Sequence, residues 1–134
     1  MLGLLAAGLN AALDRASLPY GYTVTIWSSG QVLIDLRGTP SAWLAPSYAL
    51  GALCGFGLLK LVAWRARARG AVRVARSGGL AWVVQFVTIA ASVGVVALVG
   101  RIHAGLVWAV GGFLATTVYL AGMAAMTVLE GNAG

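Results

Sequence analysis

The hydrophobic residues of this 134-residue chain fall in long runs, not in the short amphipathic segments of a water-soluble domain. Three runs, at residues 41–64, 80–100 and 104–129, reach the ~20 residues that a helix needs to cross the hydrocarbon core of a bilayer. The second and third contain no charged residue. The first carries Lys60 only near its end and Pro46 only near its beginning, where each is tolerated. This pattern predicts an α-helical polytopic membrane protein with three transmembrane helices.

Residues 20–36 show a different pattern, in which apolar and polar side chains alternate around an interruption at residues 28–30. A period of two, with a glycine at the end of the interruption, predicts a β-hairpin in which Val24 pairs with Ile34. A helix is the alternative, but between residues 20 and 35 it would extend about 22 Å, short of the ~30 Å core. Since the open edges of a hairpin cannot lie in lipid, we expect the hairpin at the outer headgroup level.

Residues 1–16 carry leucines at helical spacing, at Leu2, Leu5, Leu9 and Leu13. This spacing predicts a short N-terminal helix, which either lies at the membrane interface or forms a short first span. The chain therefore divides into two parts. Residues 1–40 hold the short helix and the hairpin, and residues 41–134 form a bundle of transmembrane helices.

Charged residues are scarce and unevenly distributed. The chain is 60% hydrophobic and only 9% charged, which excludes an isolated soluble globule. Five arginines lie between the first two predicted spans, at Arg65, Arg67, Arg69, Arg73 and Arg76. The positive-inside rule places this connection and the C-terminus in the cytoplasm. The arginines either fix the orientation alone or also bind anionic lipid headgroups.

The composition also indicates which partners to expect and what kind of organism the protein comes from. Basic residues confined to one loop of an apolar chain do not indicate nucleic-acid binding, in spite of the formal net charge of +6. Arginine far exceeds lysine, and Ala, Gly and Val are abundant, as in proteins from GC-rich bacterial genomes. We therefore expect a multi-pass protein of the bacterial inner (plasma) membrane.

Small residues recur at four-residue spacing within the predicted spans. The pairs are Gly51 and Gly55, Ala90 and Gly94, Gly105 and Ala109, Gly112 and Thr116, and Ala121 and Ala125. Small residues on one helix face let two backbones approach closely, which is how apolar helices associate in lipid. The pattern predicts tight helix packing, either within a homo-oligomer or against a partner membrane subunit.

Two groups of polar residues are candidate sites. Asp35, Arg37, Arg101 and His103 are expected on the external side, either as an ion-paired, pH-sensitive cluster or as loop charges in water. Gln85, Thr88 and Ser92 share one face of the second predicted span, where they would line a pore or make interhelical contacts. The tryptophans near the predicted span ends are expected to anchor the helices at the headgroups.

The central parts of the predicted spans contain no ionisable side chain of the kind that coupled transporters and proton relays use. A single His and a single Cys do not make a ligand set, so we expect no metal or cofactor. The sequence favours a non-enzymatic accessory or assembly subunit of a membrane complex. The alternative is an oligomeric passive pore or small-solute transporter, lined by Gln85, Thr88, Ser92, Thr116 and Thr117. A membrane enzyme using His103 with Asp35 ranks third, because no nucleophile accompanies them.

Overall fold

A computed structural model describes residues 5, 8, 9, 20–67, 81–102 and 105–132. Over the three long ranges the chain forms four helices: α1 (Tyr20–Arg37), α2 (Leu44–Arg67), α3 (Ala81–Gly100) and α4 (Val107–Asn132). Three segments of these helices are long and apolar enough to cross a membrane, namely Leu44–Arg65, Val83–Gly100 and Val107–Ala125. The three transmembrane helices predicted from the hydrophobic runs are therefore confirmed as helices of spanning length and composition.

The β-hairpin predicted at residues 20–36 is wrong, because Tyr20–Arg37 is one continuous helix of 18 residues. A helix satisfies its own backbone hydrogen bonds, so it can pack beside membrane spans where an open hairpin cannot. Gly38 caps the helix directly after Arg37; it has a φ of +80° and donates its N–H to the carbonyl of Ile34 at 2.7 Å. Pro40 follows, as is common after a glycine cap.

Neighbouring helices in the chain alternate in direction. In α1 and α3, Gly21 lies beside Gln85 and Leu33 lies beside Gly100, so these two helices run parallel. α4 runs antiparallel to α3. Gly122, late in α4, contacts Thr88, early in α3, whereas Gly111, early in α4, faces Val96, late in α3. The residues that follow α1 and α3, at 38–43 and 101–102, therefore share one end of the bundle, called here the turn end.

Helix α4 is the centre of the bundle, because it packs against each of the other three helices. Its closest neighbour is α2, which runs parallel to it and meets it through glycines. A Cβ on Gly51 would lie 2.8 Å from the carbonyl carbon of Ala109, and a Cβ on Gly55 would lie 2.9 Å from the carbonyl oxygen of Phe113. Glycine at both positions lets the two backbones approach more closely than any side chain would permit.

Two hydrophobic clusters fill the bundle, one toward each end. The turn-end cluster contains Leu33, Val96, Val107, Trp108 and Ala115. The cluster at the opposite end contains Leu9, Ala63, Tyr119, Leu120 and Ala124. Leu9 therefore packs with residues of α2 and α4. Many large apolar side chains remain on the outside, as expected for a surface that contacts lipid.

Candidate functional site

The interior between α1 and α3 is rich in hydroxyl groups. On α1 every fourth residue is buried, at Gly21, Thr25, Ser29 and Leu33. On α3 the buried stripe has the same spacing, at Val84, Thr88, Ser92 and Val96. The two stripes run in the same direction, and their hydroxyl-bearing residues lie in the middle of each. This hydroxyl-rich interior is the main polar feature of the described bundle.

Most of these hydroxyls bond to the preceding turn of their own helix. Thr25 donates to the carbonyl of Gly21 at 2.8 Å, Thr88 donates to that of Val84 at 3.0 Å, and Ser92 donates to that of Thr88 at 2.7 Å. Such a bond satisfies the hydroxyl within its own helix, so no partner from another helix is needed. Ser29 differs, because its buried Oγ does not bond to the preceding turn of its own helix and lies instead near the hydroxyl of Tyr48.

Helices α1, α3 and α4 are joined by bonds between side chains at the end opposite the turn end. The hydroxyls of Tyr22 and Thr116 lie 3.0 Å apart and share a hydrogen bond. Gln85 hydrogen-bonds the side chain of Tyr119, and both side chains lie directly over Gly21. The rings of Tyr22 and Tyr119 are also in contact, with centroids 6.2 Å apart. These tyrosines and the Gln85 amide therefore hold α1 against α3 and α4.

A third tyrosine links α1 to α2. The hydroxyl of Tyr48 donates to the carbonyl of Ile26 at 2.8 Å. Its ring meets Trp108 of α4 edge to face, with centroids 6.5 Å apart. Trp108 is 6% exposed, so it packs in the bundle, whereas Trp43 and Trp64 are 87% and 68% exposed and fit the predicted anchoring role.

The residues predicted to line a pore or to make interhelical contacts lie within the helix bundle that this one chain forms. Thr88 and Ser92 are buried and bonded to their own helix, and Gln85 reaches Tyr119. Thr116 is buried against Tyr22, and Thr117 is half-buried and donates to the carbonyl of Phe113 at 2.7 Å. Their hydroxyl and amide groups therefore serve contacts within the bundle.

One member of the predicted external cluster, Arg37, makes a hydrogen bond between two parts of the bundle. Arg37, at the end of α1, donates from Nη2 to the carbonyl of Ile102 at 2.5 Å, which joins α1 to the turn after α3. Asp35, on α1, and Arg101, in this turn, are exposed. His103 lies outside the described residues. Of the basic connection, Arg65 is exposed and the backbone continues as helix to Arg67, while Arg69, Arg73 and Arg76 lie outside the described residues.

The small-residue pairs fall into two groups. Gly51, Gly55, Ala109, Gly112 and Thr116 lie where α2 and α4 meet. Ala90 and Gly94 point away from the bundle, and a Cβ on Gly94 would meet nothing within 4 Å. Gly105 precedes α4 and is exposed, as are Ala121 and Ala125 on α4. We call Ala90 and Gly94 the outward face of α3.

Sequence reasoning did not single out Gly21, Tyr22, Thr25, Ser29 or Tyr119 as contacts. The signal was present in the spacing of Gly21, Thr25 and Ser29, which repeats every four residues like the small-residue pairs of the spans. The alternation of residues 20–36 concealed it, because a stripe of period four is also a subset of a pattern of period two.

Chemically, the hydroxyl-rich interior offers hydroxyl groups, one amide and two phenols, all suited to hydrogen bonding. Within the described residues, every fully buried polar side chain is a Ser or a Thr, and no three His, Cys, Asp or Glu residues form a group that would hold a metal ion. Comparison with known protein families, curated proteins and solved structures finds no match to this chain.

Proposed function

We propose that this protein is an accessory or assembly subunit of a membrane complex, without catalytic chemistry of its own, and that it binds a partner helix through the outward face of α3. The observation that carries the proposal is the direction of Ala90 and Gly94. Both point away from the described bundle, and the space beside Gly94 is open. A small-residue face of this kind admits a second helix at close range.

The contact between α2 and α4 within the bundle is of the same kind. Gly51 and Gly55 allow α2 to approach α4 so closely that no side chain fits between the backbones. Around the outward face of α3 the exposed side chains are bulky, with Phe86, Val87 and Leu98 each more than 60% exposed. A partner helix would therefore lie over Ala90 and Gly94, with these larger side chains packed along its sides.

The alternative function, an oligomeric passive pore, needs polar side chains around an axis between chains. The residues predicted for that role instead satisfy hydrogen bonds within one chain: Thr88 and Ser92 on their own helix, Thr116 with Tyr22. This geometry favours the subunit over the pore, because opening such a lumen would break the contacts that hold α1 in place.

The proposed location is the inner membrane of a bacterium, with residues 65–76 and the C-terminus in the cytoplasm. The turn end, with Arg37 and Arg101, then faces the outside. α1 lies alongside α3 from Gly21 to Leu36, so it would cross with the three spans as a fourth, more polar helix. In this orientation the arginines between α2 and α3 lie against anionic headgroups, a contact that favours the same topology.

The test is crosslinking in native cells. A photoreactive residue replacing Val87, beside the outward face of α3, is expected to capture a larger membrane protein, and Gly94→Leu is expected to abolish copurification of that protein. Cys54→Leu is the matched control, because Cys54 is an exposed small residue on α2. A lone monomer in mild detergent with no crosslinked partner would refute the proposal. Crosslinks formed only between copies of this chain would instead indicate that the protein is a homo-oligomer.

A further inference from the structure

The side of α1 that faces away from the bundle carries a line of polar and aromatic residues. The residues that α1 buries are four positions apart, and each exposed residue of this line comes two positions after a buried one. Two residues turn a helix by about 200°, so the line lies opposite the buried side. We call it the outer stripe of α1; its members are Thr23, Trp27, Gln31 and Asp35.

The outer stripe lies at the depth of the spans, because α1 runs beside the spanning segment Val83–Gly100 for nearly its full length. Measured along the helix axis from the last residue of α1, Arg37, Gln31 is about 9 Å away and Trp27 about 15 Å. A hydrocarbon core ~30 Å thick therefore contains both of these side chains. Asp35 is about 3 Å from the same end and lies at the edge of the core.

The chemistry of the outer stripe differs from that of the outward surface of α3. The exposed residues of α3 between positions 83 and 100 are all apolar, namely Phe86, Val87, Ala90, Ala91, Gly94 and Leu98. On α1, Trp27 is 66% exposed at mid-membrane, far from the headgroups where an indole serves as an anchor. Gln31 is exposed as well, and an amide in contact with hydrocarbon is costly. The outer stripe is therefore suited to contact with protein, not with lipid.

The amide and the carboxylate of the outer stripe define the chemistry of a partner. Gln31 offers both a donor and an acceptor, so it matches a Ser, Thr, Asn or Gln side chain on a facing helix. Asp35 lies one turn nearer the turn end, where its carboxylate would attract a Lys or Arg of the partner. Trp27, one turn to the other side of Gln31, offers the large apolar contact that is common at the centre of protein interfaces.

A second copy of this chain does not meet these requirements. Copies in one membrane share their orientation, and a symmetric pair brings the same surface of both subunits together. Two copies that faced each other through Gln31 would also bring their Asp35 carboxylates together, and like charges repel strongly in surroundings of low dielectric. The chemistry of the stripe therefore favours a different protein.

We infer that the outer stripe of α1 binds a transmembrane helix of another protein, which presents a hydrogen-bonding side chain to Gln31 and a Lys or Arg to Asp35. These two partner residues are three or four positions apart, with the cation nearer the turn end, because Gln31 and Asp35 are four positions apart on α1. The inference rests on the proposed role of the protein as a subunit of a membrane complex, and it concerns a different surface from the outward face of α3.

The experiment is crosslinking followed by charge exchange, with the full-length chain in its native cells. A photoreactive residue replacing Trp27 is expected to form an adduct with another membrane protein, and mass spectrometry is expected to locate the adduct on a transmembrane helix with a Lys or Arg at the level of Asp35. Asp35→Lys should lower the adduct yield about fivefold, and replacing that partner cation by Asp should restore it. Gln31→Leu should lower the yield about threefold, the effect of one hydrogen bond between membrane helices.

Leu106→Lys is the matched control, because Leu106 is exposed just before α4, which packs against the side of α1 opposite the outer stripe. It is expected to leave the adduct yield unchanged. Adducts only with lipid or with copies of this chain, a crosslinked helix without a basic residue at that level, or an unchanged yield in Asp35→Lys would each overturn the inference. An adduct at Val87 without one at Trp27 would leave the contact at α3 standing and overturn this one, whereas the reverse would refute the contact at α3 alone.

Discussion

Gly51 of α2 lies directly on the backbone carbonyl of Ala109 in α4. Only a hydrogen atom fits between the two backbones at this point, so the contact between these helices depends on the absence of a side chain. Gly112 of α4 makes the reciprocal contact, since it lies on the carbonyl of Tyr48 in α2. Because both neighbours are backbone atoms, neither site can relax by rotating a side chain.

We therefore expect Gly51→Ala to lower the free energy of unfolding by about 1–3 kcal/mol, the usual range for overpacking. The measurement is an SDS titration of purified protein in mild detergent. Gly57→Ala is the matched control on the same helix, where the added methyl meets open space. It should leave stability unchanged or raise it by up to ~1 kcal/mol, because alanine favours a helix over glycine. Equal effects of the two substitutions would contradict the observed packing.

The hydrogen bond between Tyr22 and Thr116 is expected to contribute about 0.6 kcal/mol, the average for such bonds between membrane helices. A double-mutant cycle with Tyr22→Phe and Thr116→Val isolates it, since each change removes one hydroxyl and nearly preserves shape. The coupling energy should be favourable and of this size. Strict additivity would mean that the two hydroxyls do not interact in the folded protein.

Gly21→Ala should disturb the bond between Gln85 and Tyr119, because the added methyl would enter the space that both side chains occupy. These are the ends of flexible side chains, so we expect a loss of about 1 kcal/mol, less than at Gly51. Gly30→Ala is the control on the same helix, because its nearest neighbour would be 4.0 Å away. A loss at Gly30 as large as that at Gly21 would argue against the packing of α1 described here.

Arg37 joins α1 to the turn after α3, and its removal should loosen that end of the bundle. In Arg37→Ala, the amides of residues 98–102 are expected to exchange hydrogen for deuterium several times faster, because the carbonyl of Ile102 loses its partner. Arg101→Ala provides the comparison, since Arg101 is exposed on the same turn. Unchanged exchange in Arg37→Ala would show that this bond does not hold the turn.

The two turns at one end of the bundle should lie on the same side of the membrane. Single cysteines replacing Thr39 or Gly105, in a Cys54→Ala background, are both expected to react with an impermeant thiol reagent added to intact cells. A cysteine replacing Ser77, in the arginine-rich connection, should react only after the cells are opened. Labelling of Thr39 and Gly105 on opposite sides would contradict the shared turn end, and labelling of Ser77 in intact cells would reverse the proposed orientation.

The boundary of α1 was within reach of sequence reasoning. Arg37, Gly38 and Pro40 form a common signal for the end of a helix, with a cation in the last turn, a glycine cap and a proline beyond it. The alternating pattern of residues 20–36 led to the hairpin prediction, and the helix-end signal was not used. The hairpin prediction failed because the same pattern also places Gly21, Thr25 and Ser29 on one helix face, and that face is buried in the bundle.

The hydrophobic runs by themselves determined that three helices are long and apolar enough to cross a membrane, because this property depends only on length and composition. Only the tertiary structure decided which small residues meet. Gly51 and Gly94 have the same spacing signal, yet one lies against a backbone and the other faces outward, since the choice depends on which helices become neighbours. For the same reason Gln85 and Tyr119, 34 positions apart in the chain, meet over Gly21 through the antiparallel packing of α3 and α4.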